Sequence, residues 1–175
     1  MTQLLYHGIP QDLKGSELVP LGQLRTKYPE LAAQYLRKYK GRETILERKI
    51  PLLNCLWNDV VQLLPLHPQK IFDRQKELGL IAEIPAYNYF AIDTSTLDPT
   101  SAAVYFKTAP GEAHWSVEWL SNTRIEELQD IPPATDKYYR SLRDSGQAVF
   151  NYQFIPHVLY KGVIDISNAK IISIK

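Results

Sequence analysis

The sequence predicts an α+β fold in which a helical N-terminal half packs on a mostly antiparallel β-sheet core. Three observations predict it. Helical periodicity dominates before Gly79, β-branched and aromatic runs bounded by turn formers dominate after it, and the two textures do not alternate as they would in a doubly wound sheet. The 175 residues, 45% apolar and 22% charged, suffice for one hydrophobic core, and no linker or internal repeat divides them. Residues 1–175 are therefore read as a single domain.

Leu4 to Tyr6, followed by His7-Gly8, reads as a short buried strand that stops where glycine lets the backbone turn. The stretch 8–22, broken by two prolines and three glycines, reads as an ordered loop. Tyr28, Leu31, Ala32, Tyr35, Leu36 and Tyr39 then recur on one face of a 3.6-residue period, with Pro29 suited to a first turn and Gly41 to a C-terminal stop. A second helical pattern joins Leu46, Ile50, Leu53, Trp57, Val60 and Leu64, and Pro51 predicts a kink or a junction of two helices within it. A third helix covers 68–79, with Ile71, Phe72 and Leu78 inward. Strands follow at 86–93, 102–108 and 114–120, a helix at about 133–143, and strands again at 148–154, 157–162, 163–166 and 170–174. Gly162 is expected at a bulge or tight turn between two of these.

The net charge of +1 conceals an uneven distribution. Between residues 23 and 49 eight basic residues face three acidic ones; between 93 and 144 five basic face nine acidic. Arg37, Lys38, Lys40 and Arg42 are the candidates for contact with nucleic acid or an acidic protein, the plain alternative being a solvated helix face. No apolar run approaches the roughly 20 residues of a bilayer crossing, and the first ten residues lack a basic head and a long apolar stretch. Cys55 is alone, so no intramolecular disulfide forms, which suits a reducing compartment, and a cytoplasmic protein without membrane contact is expected.

Phosphate-cradling glycine motifs and a nucleophile elbow are absent, and Cys55 sits in an apolar stretch where a thiol packs as a small hydrophobe. His7, His67, His114 and His157 have no spacing that would pair imidazoles on a helix face, so no metal site is predicted; a hydrolase built on several of them would carry stoichiometric metal. Asn54, Asn58 and Asp59 beside Trp57 either cap a break next to Pro51 or line a pocket. His67, between two prolines, reads as a side chain that holds a turn.

The segment LYHG, residues 5–8, resembles the opening strand of the ADP-ribosyltransferase (ART) superfamily, in its His-Tyr-Glu branch, where a strand ends in His-Gly. The resemblance implies an ART-like sheet core and NAD as substrate. It assigns the hydrogen bond to the adenosine ribose to His7 and the backbone clamp on the nicotinamide amide to Gly8, where a Cβ would hold the ring away. It also implies a tyrosine stacked on the nicotinamide, for which the strand YNYF offers Tyr87 or Tyr89. The family's third element is a glutamate opening a late strand. At the matching place, SGQAVF, this chain has Gln147, which can hold a ribose hydroxyl but supplies no negative charge to an oxocarbenium-like ribose, and Glu118, on the expected strand HWSVEWL, is the carboxylate that would substitute in catalysis. Near the C-terminus FIPHVLYKG, residues 154–162, could close the sheet as the family's terminal strand does and bring His157 to the cleft of His7, or Pro156 and His157 merely end one strand and start another. The resulting expectation is an NAD- or nucleotide-binding ART-like protein, active on nucleic acid or protein or a degenerate relative. A non-catalytic module that binds nucleic acid or an acidic partner through the basic segment is the alternative.

Overall fold

A computed structural model describes residues 3–110 and 114–175; Glu112, counted above among the acidic residues, lies outside them. In chain order the strands are β1 (Leu4–Gly8), β2 (Glu17–Leu18), β3 (Lys49–Ile50), β4 (Cys55–Leu56), β5 (Val60–Leu63), β6 (Asn88–Asp93), β7 (Ala102–Lys107), β8 (Trp115–Trp119), β9 (His157–Lys161), β10 (Ile164–Asp165) and β11 (Lys170–Ser173). The α-helices are α1 (Leu21–Lys27), α2 (Pro29–Leu36), α3 (Pro68–Glu77), α4 (Asn122–Glu127) and α5 (Pro133–Leu142). The architecture is α+β, with antiparallel sheets, as the sequence texture predicts.

Two sheets form the centre. One has the order β1-β6-β11, the other β5-β9-β7-β8, and all their neighbours run antiparallel. In β6 four successive residues, Tyr89 to Ile92, are buried, because alternate side chains enter two different cores. Phe90 and Ile92, with Leu5 of β1, face Val61, Leu63, Val104 and Val158 of the second sheet. Tyr89 and Ala91, with Tyr6, face Ile71 and Phe72 of α3 and Tyr139 of α5. Behind the second sheet, Val60, Ala103, Tyr105 and Leu159 are covered by Ile50, Leu53 and Trp57. The sheets meet where Tyr6 and Leu64 exchange backbone hydrogen bonds of 2.9 and 2.8 Å. This junction leaves the C-terminal end of β1, His7 and Gly8, beyond the last shared pair.

Several sequence expectations are corrected. The helical pattern over 46–64 is not a helix: 3-10 turns at Glu43–Glu47 and Trp57–Asp59 flank the hairpin β3–β4, and the chain then enters β5. Pro51 removes a helical donor and Asn54 adopts φ 46°, so the backbone reverses between Ile50 and Cys55. The apolar spacing is real but fills the layer behind the second sheet. Nor is 148–154 a strand. Its backbone is held by α5 phenols, with the Phe150 N–H donating to Tyr138 at 3.1 Å and the Tyr139 hydroxyl to the Asn151 carbonyl, and Phe154 turns at φ 61°. The loop 8–22 contains β2, paired with β10, and the start of α1. The N-terminal half is therefore not a helical layer, since β1 and β5 belong to the two central sheets.

Helix α2 ends at Leu36 and continues as a 3-10 turn, Arg37–Tyr39. The turn at Trp57–Asp59 is capped by the Asp59 carboxylate, which accepts the Leu56 N–H at 2.9 Å, while Asn54 and Asp59 also line a hollow of about 490 Å³ beside Lys161 and Gly162. His67 caps α3, its Nδ1 accepting the Gln69 N–H at 3.2 Å.

Candidate functional site

A cleft of about 750 Å³ opens at the C-terminal end of β1, between the two sheets and the segment carrying α1 and α2. His7, Gly8 and His157 line it, with the buried Tyr89 and its partner Tyr152 as the floor and Tyr35 and the exposed Lys38 at the rim. The register explains the first of these neighbours. Gly8 pairs with Tyr89 across β1 and β6, and a Cβ at Gly8 would lie 3.7 Å from the Tyr89 ring, so the missing side chain exposes backbone beside an aromatic face.

The two tyrosines divide the work. Tyr89 is only 2% exposed and its hydroxyl lies 2.8 Å from that of Tyr152, which is 38% exposed. Tyr89 thus supports, and Tyr152 presents, the aromatic surface. Burial, reinforced by the shared hydrogen bond, raises the Tyr89 phenol well above its ordinary range, and burial raises Tyr152 as well. Both are neutral hydrogen-bonding groups at any physiological pH.

The histidines are neutral too. Burial lowers His7 to about 4, against the opposing pull of its hydrogen bond to Gly8, with Lys38 lowering it further. Burial also lowers His157 to about 4. Each ring places Nδ1 against a carbonyl oxygen, His7 at 2.7 Å from Gly8 and His157 at 2.8 Å from Ile155. A carbonyl only accepts, so Nδ1 carries the proton in both and Nε2 keeps a lone pair. The His157 ring also meets Tyr152 edge-on, centroids 6.2 Å apart.

Charge at the rim is mixed. Lys38 lies over the Tyr35 ring at 5.0 Å and Lys14 over Tyr28 at 5.6 Å, all four residues lining the cleft. The lining carboxylates are Asp12 and Glu17, and Glu17 is held by Lys27 at 2.6 Å. No group of three or more His, Cys, Asp or Glu among the described residues could hold a metal ion.

Of the residues singled out in the sequence, the structure brings His7, Gly8, Tyr89, His157 and Lys38 to one cleft. Tyr87 does not join them: it is half exposed and packs its ring against Phe72. Gln147 lies in the exposed segment after α5, not at the head of a strand, and does not line the cleft. Glu118 sits on the edge strand β8, bound to Arg124, and does not line it either. Arg37, Lys40 and Arg42 follow α2 on the exposed surface, outside the cleft, with Arg42 donating to the Lys38 carbonyl at 2.9 Å. Sequence reasoning missed Tyr152, because its alternating neighbours suggested a strand, and missed Tyr35 as a rim residue, because its helical spacing suggested core. Cys55 is half-buried with a thiol raised by burial, so it stays protonated and inert. No helix of the described residues is long and apolar enough to cross a membrane.

No family model, no curated protein and no solved structure matches this chain.

Proposed function

We propose that the chain is an NAD- or nucleotide-binding protein of ADP-ribosyltransferase-like character, with the cleft at His7 as its ligand site. One observation carries the reading: the His-Gly end of β1, the Tyr89–Tyr152 pair and Lys38 line a single cleft of about 750 Å³. That volume falls in the range of roughly 300–1,000 Å³ usual for ligand sites. His7 Nε2 offers an acceptor to a ribose hydroxyl, the Gly8 backbone and Tyr152 offer an edge and a face to a planar amide-bearing ring, and Lys38 offers a cation to a diphosphate. The reading covers an active transferase, acting on nucleic acid or protein, and a degenerate relative that only holds the ligand. Asp12 and Glu17 are the cleft carboxylates from which an active enzyme would draw its negative charge, and Glu17 is already engaged by Lys27.

Isothermal titration with NAD tests the site. Binding that weakens in His7→Ala and Tyr152→Ala supports it, and no heat and no thermal shift at millimolar NAD refutes it. Release of free nicotinamide from the bound complex separates transferase from degenerate relative.

A second reading, binding of nucleic acid or an acidic partner, draws on a different observation. Arg37, Lys38, Lys40, Arg42 and Lys49 make no ion pair among the described residues, although Lys27 of the same segment pairs with Glu17. These five side chains are left without an ionic partner. Alanine at Lys38, Lys40 and Arg42 together should abolish binding of a single-stranded oligonucleotide and flatten its salt dependence; an unchanged slope removes this reading.

A further inference from the structure

The cleft holds a feature that the ligand assignments above leave unused: a second imidazole with the same hydrogen-bond polarity as His7. His157 stands at the head of β9, in the other sheet, and its Nδ1 proton is committed to the Ile155 carbonyl at 2.8 Å. Its Nε2, like that of His7, has no hydrogen-bond partner among the described residues, and both rings line the cleft. The tyrosine pair connects the two by contact: Gly8, next to His7, abuts Tyr89, Tyr89 meets Tyr152 at 2.8 Å, and Tyr152 meets His157 edge-on. Two lone pairs in one cleft, linked through the tyrosine pair, call for a ligand with two separate hydrogen-bond donors. With Glu17 engaged by Lys27, Lys14 and Lys38 outweigh Asp12 at the rim and disfavour cationic donors, so the donors are hydroxyls on an anionic molecule.

We infer that His157 is a second sugar-binding residue, its Nε2 accepting a hydroxyl of the ribose remote from the one taken by His7, which selects a dinucleotide over a mononucleotide. The inference rests on the nucleotide reading of the cleft and deepens it. It also explains how a site without a carboxylate at this place can still hold a second ribose: a neutral imidazole whose Nδ1 is locked presents one directional acceptor without charge.

The test is titration of the full chain with NAD, nicotinamide mononucleotide and AMP, in the wild type, His157→Ala, His157→Phe and His7→Phe. His157→Phe keeps the ring against Tyr152 and deletes the lone pair. Loss of one hydrogen bond predicts that both His157 variants bind NAD and nicotinamide mononucleotide about tenfold more weakly and AMP unchanged, with His7→Phe instead weakening AMP. Normal affinity in both His157 variants, or recovery in His157→Phe alone, overturns the inference and leaves the cleft reading standing. Equal weakening of AMP by the His157 variants overturns the assignment to the remote ribose. Failure of the wild type to bind any of the three overturns the cleft reading and this inference with it. If the variants do not fold, nitrogen-15 spectra of the wild type decide: NAD should shift His157 Nε2 while Nδ1 stays protonated, and an unmoved Nε2 overturns the inference.

Discussion

The Tyr89–Tyr152 contact yields a prediction whose sign depends on which hydroxyl is left behind. Tyr89 is 2% exposed, so Tyr152→Phe strands a buried hydroxyl whose only hydrogen-bond partner among the described residues is the one removed. An unsatisfied buried polar group costs about 1–3 kcal/mol. Tyr89→Phe strands the other hydroxyl, but Tyr152 is 38% exposed and exchanges its partner for water, so the cost stays near the lower end of a hydrogen bond's net worth, about 0.5 kcal/mol. Removing both hydroxyls leaves nothing unsatisfied, so the double variant should resemble Tyr89→Phe. The coupling between the two sites is then about 1–3 kcal/mol. For a chain of this length a difference of about 2 kcal/mol is about 4–8 °C in Tm. Urea denaturation of the four proteins, without ligand, measures the cycle. If Tyr152→Phe is no more costly than Tyr89→Phe, or if the two losses simply add, the two phenols are not coupled and the described floor of the cleft is incorrect.

Acid should destabilise the fold earlier than its carboxylates alone would predict. His7 and His157 are held at about 4 when folded against an ordinary 6.5, so between those values the unfolded chain binds more protons. Their contribution is whole above pH 6.5, declines as pH falls to about 4, and changes no further below. Tm followed from pH 7 to 4 should fall more steeply in the wild type than in His7→Phe/His157→Phe, and parallel profiles would refute the burial of these rings. Gly22→Ala should destabilise by about 1–3 kcal/mol although alanine favours a helix, because the added Cβ would lie 2.9 Å from Asp59 Oδ1 and 3.1 Å from the Asn58 carbonyl, neither free to move. A Tm at or above wild type would show that α1 can shift on the Trp57–Asp59 turn. Gln75→Leu should be neutral or stabilising by up to about 1 kcal/mol, because Gln75 is fully buried with Oε1 unpaired and the Tyr139 hydroxyl it contacts retains the Asn151 carbonyl. A clear loss of stability in urea would mean that Oε1 has a partner in solution.

Local signals were legible wherever one face of an element is buried and a turn former marks its end. LYHG, the 68–77 helix opened by Pro68, and the strands of the second half other than 148–154 sit where their sequence texture places them, because burying a face of a strand or helix requires that spacing. Spacing failed over 46–64, where the same apolar residues fill the layer behind a sheet from turns and a hairpin: burial constrains which residues are apolar, and Pro51 with Asn54 settled the backbone. It failed again over 148–154, because the partners that satisfy that backbone are two phenols on α5, which no local pattern announces.

By itself, then, the sequence determined the α+β class, the strand ending in His7-Gly8 and the uneven charge, all properties carried by neighbours along the chain. Only the tertiary structure decided that Tyr152 and not Tyr87 presents the open aromatic ring, that Gln147 and Glu118 stand away from the cleft, and that His157 faces it. Those outcomes turn on the Tyr6–Leu64 junction, which joins two sheets whose strands lie far apart in sequence. A cleft is the space left between such pieces, and the residues that wall it are chosen by packing and hydrogen bonding across the junction rather than by their order in the chain.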